Sequence, residues 1–178
     1  MMRRESPLRF WAPECSQSGH VAETQYEIGV SLRNWRLLER CKVFAVRIEG
    51  GVNPGSGVQL YWRTMEGERL EITIDPDGFA HQIPVAWRRE HWGNGSALLC
   101  TTGFYSRNPS GDPMRGGVGY SLLEPSHTYA YRILLTWHEG KAWSYPFSIH
   151  VPPRGSSNGG FYVHAEMSYG AKIEKHRQ

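Results

Sequence analysis

The chain has 178 residues, of which 39% are hydrophobic and 12% aromatic, enough apolar material for the core of one domain but not for two. Its net charge of +3 arises from 20 basic and 17 acidic residues, and so small and scattered a surplus does not predict nucleic-acid binding. Three cysteines without a CxxC pair argue against a disulfide framework or a cysteine-rich zinc site, and predict reduced thiols in the cytoplasm.

The N-terminal segment, residues 1–22, contains Pro7, Pro13 and Gly19 and has no regular hydrophobic period. We therefore expect an irregular arm there. It also lacks a run of seven or more apolar residues, so the sequence predicts neither a secretory signal nor a membrane span. We assign residues 23–170 to one folded domain and residues 171–178 to a basic C-terminal tail.

From residue 23 onward, apolar and polar side chains alternate, as they do in half-buried strands. In residues 25–33 this alternation places Tyr26, Ile28, Val30 and Leu32 on one face. The further predicted strands cover residues 44–48, 58–62, 70–74, 79–86, 96–102, 118–122, 128–137, 142–150 and 160–168. No 12-residue window has a helical stripe. About ten strands separated by turns predict an all-β fold, a two-sheet antiparallel immunoglobulin-like sandwich.

Residues 122–153 contain the strongest alternation in the chain. One face of 128–137 carries Tyr129, Ile133 and Trp137. The strand after the linker HEGK repeats the pattern, with one face that carries Trp143, Tyr145, Phe147, Ile149 and Val151. A four-residue linker with glycine predicts an antiparallel hairpin. Its aromatic face has two interpretations, a core surface or an exposed platform for sugars or bases, and burial is favoured because a large buried aromatic contributes roughly 1.5–3 kcal/mol.

Just before this hairpin stands LEPSHTY, in which Leu123, Pro125 and Tyr129 follow the spacing L-x-P-x-x-x-Y. This segment resembles the tyrosine corner of fibronectin type III and related immunoglobulin-like domains. The resemblance implies that the hydroxyl of Tyr129 hydrogen-bonds back to the preceding connection. It implies a superfold and no activity.

A broader resemblance covers residues 26–85. The segment is similar to β-sandwich modules of uncharacterised prokaryotic proteins, at positions that include Asn34, Cys41, Trp62 and the DPDG turn at 75–78. What this resemblance implies is an accessory or recognition domain without known chemistry.

Motifs for catalysis or cofactor binding do not stand out. The eight histidines form no HxH, HxxxH or HExxH pattern, GNGSA lacks the spacing of a serine-nucleophile elbow, and RGGVGY is not followed by the residues of a phosphate loop. We therefore predict no catalytic residue, no metal and no cofactor. One pair deserves inspection, because His150 and His164 fall on the polar faces of adjacent predicted strands.

The segment AWRREHWGNGSA combines aromatic rings, cations and flexible backbone, a composition typical of recognition surfaces. We predict a binding patch there, assisted by the loop at 107–117; an alternative is that the loop folds its two tryptophans under itself. The candidate binding residues are Trp87, Arg88, Arg89, His91, Trp92, Arg107 and Arg115.

These observations predict a non-enzymatic module that binds a protein partner through surface loops or an exposed edge strand. Two alternatives stay open: a sandwich that binds or processes glycans through surface tryptophans and tyrosines, and a structural subunit that assembles with its own copies. Neither nucleic acid nor a membrane is an expected partner.

Overall fold

The structure of the chain is a computed structural model that describes residues 6–18, 23–48, 57–90, 92–101, 106–107, 113–114, 122–165 and 171–175. Its strands are β1 (Leu8–Phe10), β2 (Glu14–Ser18), β3 (Glu23–Leu32), β4 (Leu38–Arg47), β5 (Val58–Gln59), β6 (Trp62–Thr64), β7 (Gly67–Arg69), β8 (Ile72–Ile74), β9 (His81–Arg89), β10 (Ala97–Leu99), β11 (Ser106–Arg107), β12 (Pro113–Met114), β13 (Leu122–Leu123), β14 (His127–Trp137), β15 (Gly140–Trp143), β16 (Phe147–Val151), β17 (Tyr162–Ala165) and β18 (Lys172–Lys175). A 3₁₀ turn spans Asn158–Gly160.

Two antiparallel sheets contain most of these strands. In sheet A the order is β1, β3, β9, β10 and β13; β2 also pairs with β3, and β6 pairs with β7 and β9. In sheet B the order is β17, β16, β14, β15 and β18; the other edge of β14 pairs with β4, which also pairs with β5 and β8. The predicted two-sheet antiparallel sandwich is confirmed, although many strands of two or three residues raise their number above the expected ten.

The core lies between the inner faces of the two sheets. Sheet A contributes apolar side chains from β1, β3, β6 and β9, and sheet B contributes them from β4, β14, β16 and β17. The largest fully buried side chains include Trp62 and Phe147. The indole N–H of Trp62 donates to the carbonyl of Cys41 at 2.9 Å, so the polar edge of that ring is satisfied inside the core.

The predicted hairpin at residues 128–151 is confirmed, with one irregularity. β14 pairs with β15 from Leu134 to Trp137 and with β16 from His127 to Tyr131. Residues 144–146 interrupt the partner strand, because Pro146 has no N–H for the ladder. The Ser144 hydroxyl instead accepts a hydrogen bond from the amide of Ile133 at 2.8 Å.

This interruption changes which side chains of the second strand face the core. Phe147 and Ile149 are buried as expected, but Trp143 is half-buried and Tyr145 is exposed, whereas Ala142 is buried. The expectation that Trp143 and Tyr145 share the buried face was therefore wrong, since an inserted residue reverses the two faces of a strand. The rest of the aromatic face lies in the core and forms no exposed platform.

The hydroxyl of Tyr129 accepts a hydrogen bond from the backbone amide of Glu124 at 2.8 Å. The link back to the preceding connection, which the LEPSHTY resemblance implied, is thus present. The ring itself is 7% exposed, so Tyr129 joins the start of β14 to the connection that enters it.

The expected irregular N-terminal arm was wrong for the described part of residues 1–22. Strands β1 and β2 both pair with β3 in sheet A, and Leu8 and Phe10 belong to the core. The C-terminal segment is likewise not a free tail over Lys172–Lys175, because these residues pair with β15 as β18. With three and four residues, β1 and β18 are too short for an alternating pattern to be recognised, and pairing with β3 and β15 stabilises them.

Candidate ligand-binding concavity on sheet A

A concavity of about 330 Å³ opens on the outer face of sheet A. Residues from β3, β6, β7, β9, β10 and the segments beside them form it. Its lining consists of Glu23, Gln25, Tyr61, Arg63, Glu68, Trp87, Arg89, Leu98, Leu99, Cys100 and Thr101. This volume lies at the lower end of the roughly 300–1,000 Å³ that small-ligand sites occupy.

Strand periodicity and register bring the walls together. In β9 the side chains of Trp87 and Arg89 alternate with buried Arg88, so they project from the outer face. β9 pairs with β3 so that Gln25 lies opposite Trp87 and Glu23 lies opposite Arg89. Two pairs of residues, each separated by more than sixty positions in the chain, therefore become neighbours on one surface.

Charge pairs fix the walls of the concavity. The Nε of Arg89 lies 2.8 Å from a carboxylate oxygen of Glu23, and Arg63 forms an ion pair with Glu27. Arg63 also donates to the side-chain carbonyl of Gln25 at 2.8 Å. Because β3 supplies all three acceptors, these contacts hold both guanidinium groups in place along one strand.

The floor is neutral and polar. Tyr61, Gln25 and Cys100 meet there, and the Nε2 of Gln25 lies 4.0 Å from the Cys100 sulfur. Burial raises the pKa of the Cys100 thiol, and burial, followed by the proximity of Cys100 and Glu68, raises the pKa of Tyr61. Both groups therefore stay protonated at neutral pH, so neither provides a thiolate nucleophile or a phenolate base.

Trp87 stands half-buried at the wall with its ring fixed on two sides. The ring centroid of Trp92 lies 4.8 Å away with the planes at 65°, and the guanidinium carbon of Arg89 lies 5.1 Å from the Trp87 ring. Trp92 is only 2% exposed. An edge-on aromatic contact and a cation–π contact thus hold the indole in one orientation.

The loop that carries Trp92 is fastened to the connection between β16 and β17. Arg154 donates to the carbonyl of Gly93 at 2.7 Å. Gly95 has a positive φ of 70°, and a Cβ there would lie 2.9 Å from the Arg154 backbone, so only glycine fits this turn. The contacts keep Trp92 beneath Trp87.

The structure corrects the predicted binding patch at two positions. Arg88 is 1% exposed and points into the sandwich, where it donates to the carbonyls of Ser156 and Ser157 and to the side chain of Asn158. It cannot meet a partner on the surface, because strand alternation turns it away from Trp87 and Arg89. Trp92 is also buried and supports the site from below.

Of the three other predicted residues, the structure describes only Arg107. Arg107 belongs to β11, where its backbone pairs with that of Pro113. His91 and Arg115 lie outside the described residues, as does most of the loop at 107–117.

Sequence reasoning missed the opposite wall of the concavity. Gln25 and Tyr61 lie in predicted strands that were interpreted only for their buried faces, whereas Arg63 and Glu68 lie outside the predicted strands. The available signal was the polar face of β3, on which Glu23, Gln25 and Glu27 alternate with inward residues. Without the register to β6 and β9, that signal could not be connected to Trp87.

Comparisons of the chain with protein-family models, with curated proteins and with solved structures find no match. Across the part of the chain that the structure describes, no three or more His, Cys, Asp or Glu side chains converge on a possible metal position. Nor does any described helix have the length and apolar character needed to cross a membrane. The class that fold and concavity define is a two-sheet antiparallel β-sandwich with a polar, aromatic-walled surface site.

Proposed function

We propose that this protein is a non-enzymatic binding module that recognises a protein partner through the concavity of sheet A. The observation that supports this proposal is the arrangement of Trp87 with Arg89. A half-exposed indole and a guanidinium stand side by side on the wall, and tryptophan and arginine are the residues that most often dominate the free energy of protein–protein binding.

Preorganisation strengthens the argument. Arg89 is paired with Glu23 and Trp87 is packed on Trp92, so neither side chain needs to be ordered when a partner binds. Ordering a flexible side chain at an interface costs roughly 0.5–1.5 kcal/mol. A wall that is fixed in advance avoids that cost and favours recognition.

A glycan is a second candidate ligand, favoured by the chemistry of the floor. The amide of Gln25, the phenol of Tyr61 and the hydroxyl of Thr101 line the concavity beside Trp87, and a sugar ring offers hydroxyls to such groups and an apolar face to an indole. Arg89 and Trp92 already contact the Trp87 ring, which reduces the ring surface left for stacking. For that reason we place the protein partner first.

Quantitative affinity capture tests the proposal. The immobilised chain and its Trp87→Ala variant are exposed to a lysate of cells that express the protein naturally, with Arg132→Ala as the matched control, because Arg132 is exposed on sheet B. Truncation of a hot-spot residue costs about 2 kcal/mol or more, equivalent to roughly thirtyfold in affinity. We expect a partner that Trp87→Ala no longer recovers and Arg132→Ala still recovers.

An identical set of captured proteins from all three forms would contradict recognition by the concavity. The same three forms on a glycan array separate the alternatives: a sugar bound by the chain and by Arg132→Ala, but not by Trp87→Ala, would favour the glycan.

Two finer assignments accompany this function as proposals. We infer that the sandwich is of the immunoglobulin-like kind, supported by the corner hydrogen bond of Tyr129. We also infer a reducing compartment such as the cytoplasm, supported by the three cysteines, all of them free thiols.

A further inference from the structure

Two histidines come together on the outer face of sheet B, far from the residues used above. In the pairing of β16 with β17, His150 lies opposite Tyr162 and Ser148 lies opposite His164. His150 and His164 are therefore diagonal neighbours on one face of adjacent antiparallel strands. Diagonal neighbours stand roughly 7–8 Å apart at their backbones, within reach of long side chains that lean together.

The ring of His150 is held in a fixed orientation. Its Nδ1 lies 2.9 Å from the hydroxyl of Thr128 on β14, and Tyr162 stacks on it with ring centroids 4.2 Å apart and planes 21° apart. Because Nδ1 is engaged, Nε2 is the ring nitrogen left for a ligand. A hydrogen bond on the second ring nitrogen fixes the orientation of an imidazole that binds a metal ion, and the Thr128 hydroxyl provides that bond here.

The pair of imidazoles lies on the outer face of sheet B, and the side chain of His150 is only partly buried. His164 is exposed, so an ion can reach the pair from solvent.

We propose that His150 and His164 form a surface site for a late divalent transition-metal ion, with Nε2 of His150 and one ring nitrogen of His164 as protein ligands. Imidazole suits zinc, copper and nickel. Nitrogens bound to one zinc ion at about 2.0–2.1 Å in tetrahedral geometry lie about 3.3 Å apart, a separation that the exposed ring of His164 reaches by turning toward the fixed ring of His150. Water completes the coordination.

Thr128 is a positioning residue in this site, because it acts on the ion only through His150. Loss of a group that orients a metal ligand typically lowers metal affinity about 10–100-fold. Loss of a ligand itself costs at least as much. Sites with nitrogen ligands generally bind Cu²⁺ more tightly than Zn²⁺, and we expect the same order here.

The test uses the full, tag-free chain titrated with Cu²⁺ alone and, separately, with Zn²⁺ alone. Copper binding is followed by electron paramagnetic resonance, which counts coordinated nitrogens, and zinc binding by calorimetry. The variants are His150→Ala, His164→Ala and Thr128→Val. His138→Ala is the matched control, because His138 is an exposed histidine just after β14 and outside the pair.

We expect two coordinated imidazole nitrogens in the chain and in His138→Ala, and one in His164→Ala. Zinc affinity should fall by at least about tenfold in each His variant and in Thr128→Val. The proposal is overturned if the chain binds neither ion, or if His138→Ala weakens binding as much as His164→Ala does. A Thr128→Val variant that binds zinc normally would remove the positioning role, and melting curves confirm that each variant is folded.

Discussion

Replacing Arg88 with methionine is the most informative perturbation of the scaffold beneath the concavity. Arg88 links sheet A to the connection between β16 and β17 through Ser156, Ser157 and Asn158, over distances of 3.0–3.3 Å. Methionine keeps much of the apolar stem and removes the guanidinium. The variant therefore reports the contribution of these hydrogen bonds to folding.

The size of the stability loss depends on whether each acceptor that Arg88 leaves can form a hydrogen bond to water instead. The buried side chain of Asn158 loses a donor, which costs about 1–3 kcal/mol, while the carbonyls of the less buried serines cost about 0.5–1.5 kcal/mol each. Removing a buried cation offsets part of this loss, because burial also lowers the pKa of Arg88 even though Glu90 acts in the opposite direction. We expect a net loss of about 2–3 kcal/mol of unfolding free energy.

Thermal unfolding measured by circular dichroism gives the result. For a chain of this size, 1 kcal/mol corresponds to about 2–4 °C in Tm, so Arg88→Met should melt about 4–12 °C lower. Arg132→Met, at an exposed arginine on sheet B, should change the unfolding free energy by less than about 0.5 kcal/mol. If Arg88→Met were as stable as the unaltered chain, the reasoning that this network stabilises the sandwich would be refuted.

Three further results are expected. Tyr129→Phe deprives the amide of Glu124 of its acceptor and should cost about 1–2 kcal/mol by denaturant unfolding; an unchanged midpoint would show that the corner bond is not stabilising. A thiol reagent at neutral pH should label Cys15 rapidly in the folded chain, since the other two cysteines are buried; rapid reaction of all three would contradict the burial. Because the folded-state pKa of His150 is lowered, the unfolded chain binds more protons there, so the free energy of unfolding should fall as pH drops below about 6.5. His150→Gln should flatten this pH dependence, and the control His127→Gln should not. Identical pH profiles of stability for the chain and for His150→Gln would contradict the assignment.

The sandwich was largely predictable because alternation of side chains reports burial directly. β14 shows this best: its odd positions from Tyr129 to Trp137 are buried as the sequence predicts. The same signal fails for β15, where an interruption at residues 144–146 reverses the faces. It also fails for β1 and β18, which have only three and four residues and form by pairing with β3 and β15.

The candidate site was predictable only in part, because the pairing register between distant strands brings half of its residues together. Trp87 and Arg89 were found by composition, and both line the concavity. Arg88 was grouped with them because the segment was interpreted as a loop between strands, whereas β9 continues to Arg89 and turns Arg88 inward. Arg63 forms a hydrogen bond with Gln25, which lies 38 positions away in the chain, and no local sequence pattern predicts that contact.

Site-specific photocrosslinking in cells that express the protein naturally tests most directly whether a protein partner occupies the concavity. Benzoylphenylalanine placed at position 68, on the rim of the concavity, is compared with the same group at position 132 on sheet B. The account predicts a light-dependent adduct of higher mass from position 68, absent from position 132 and lost when Trp87→Ala is added. An adduct from position 132 alone, or from neither position, would contradict it.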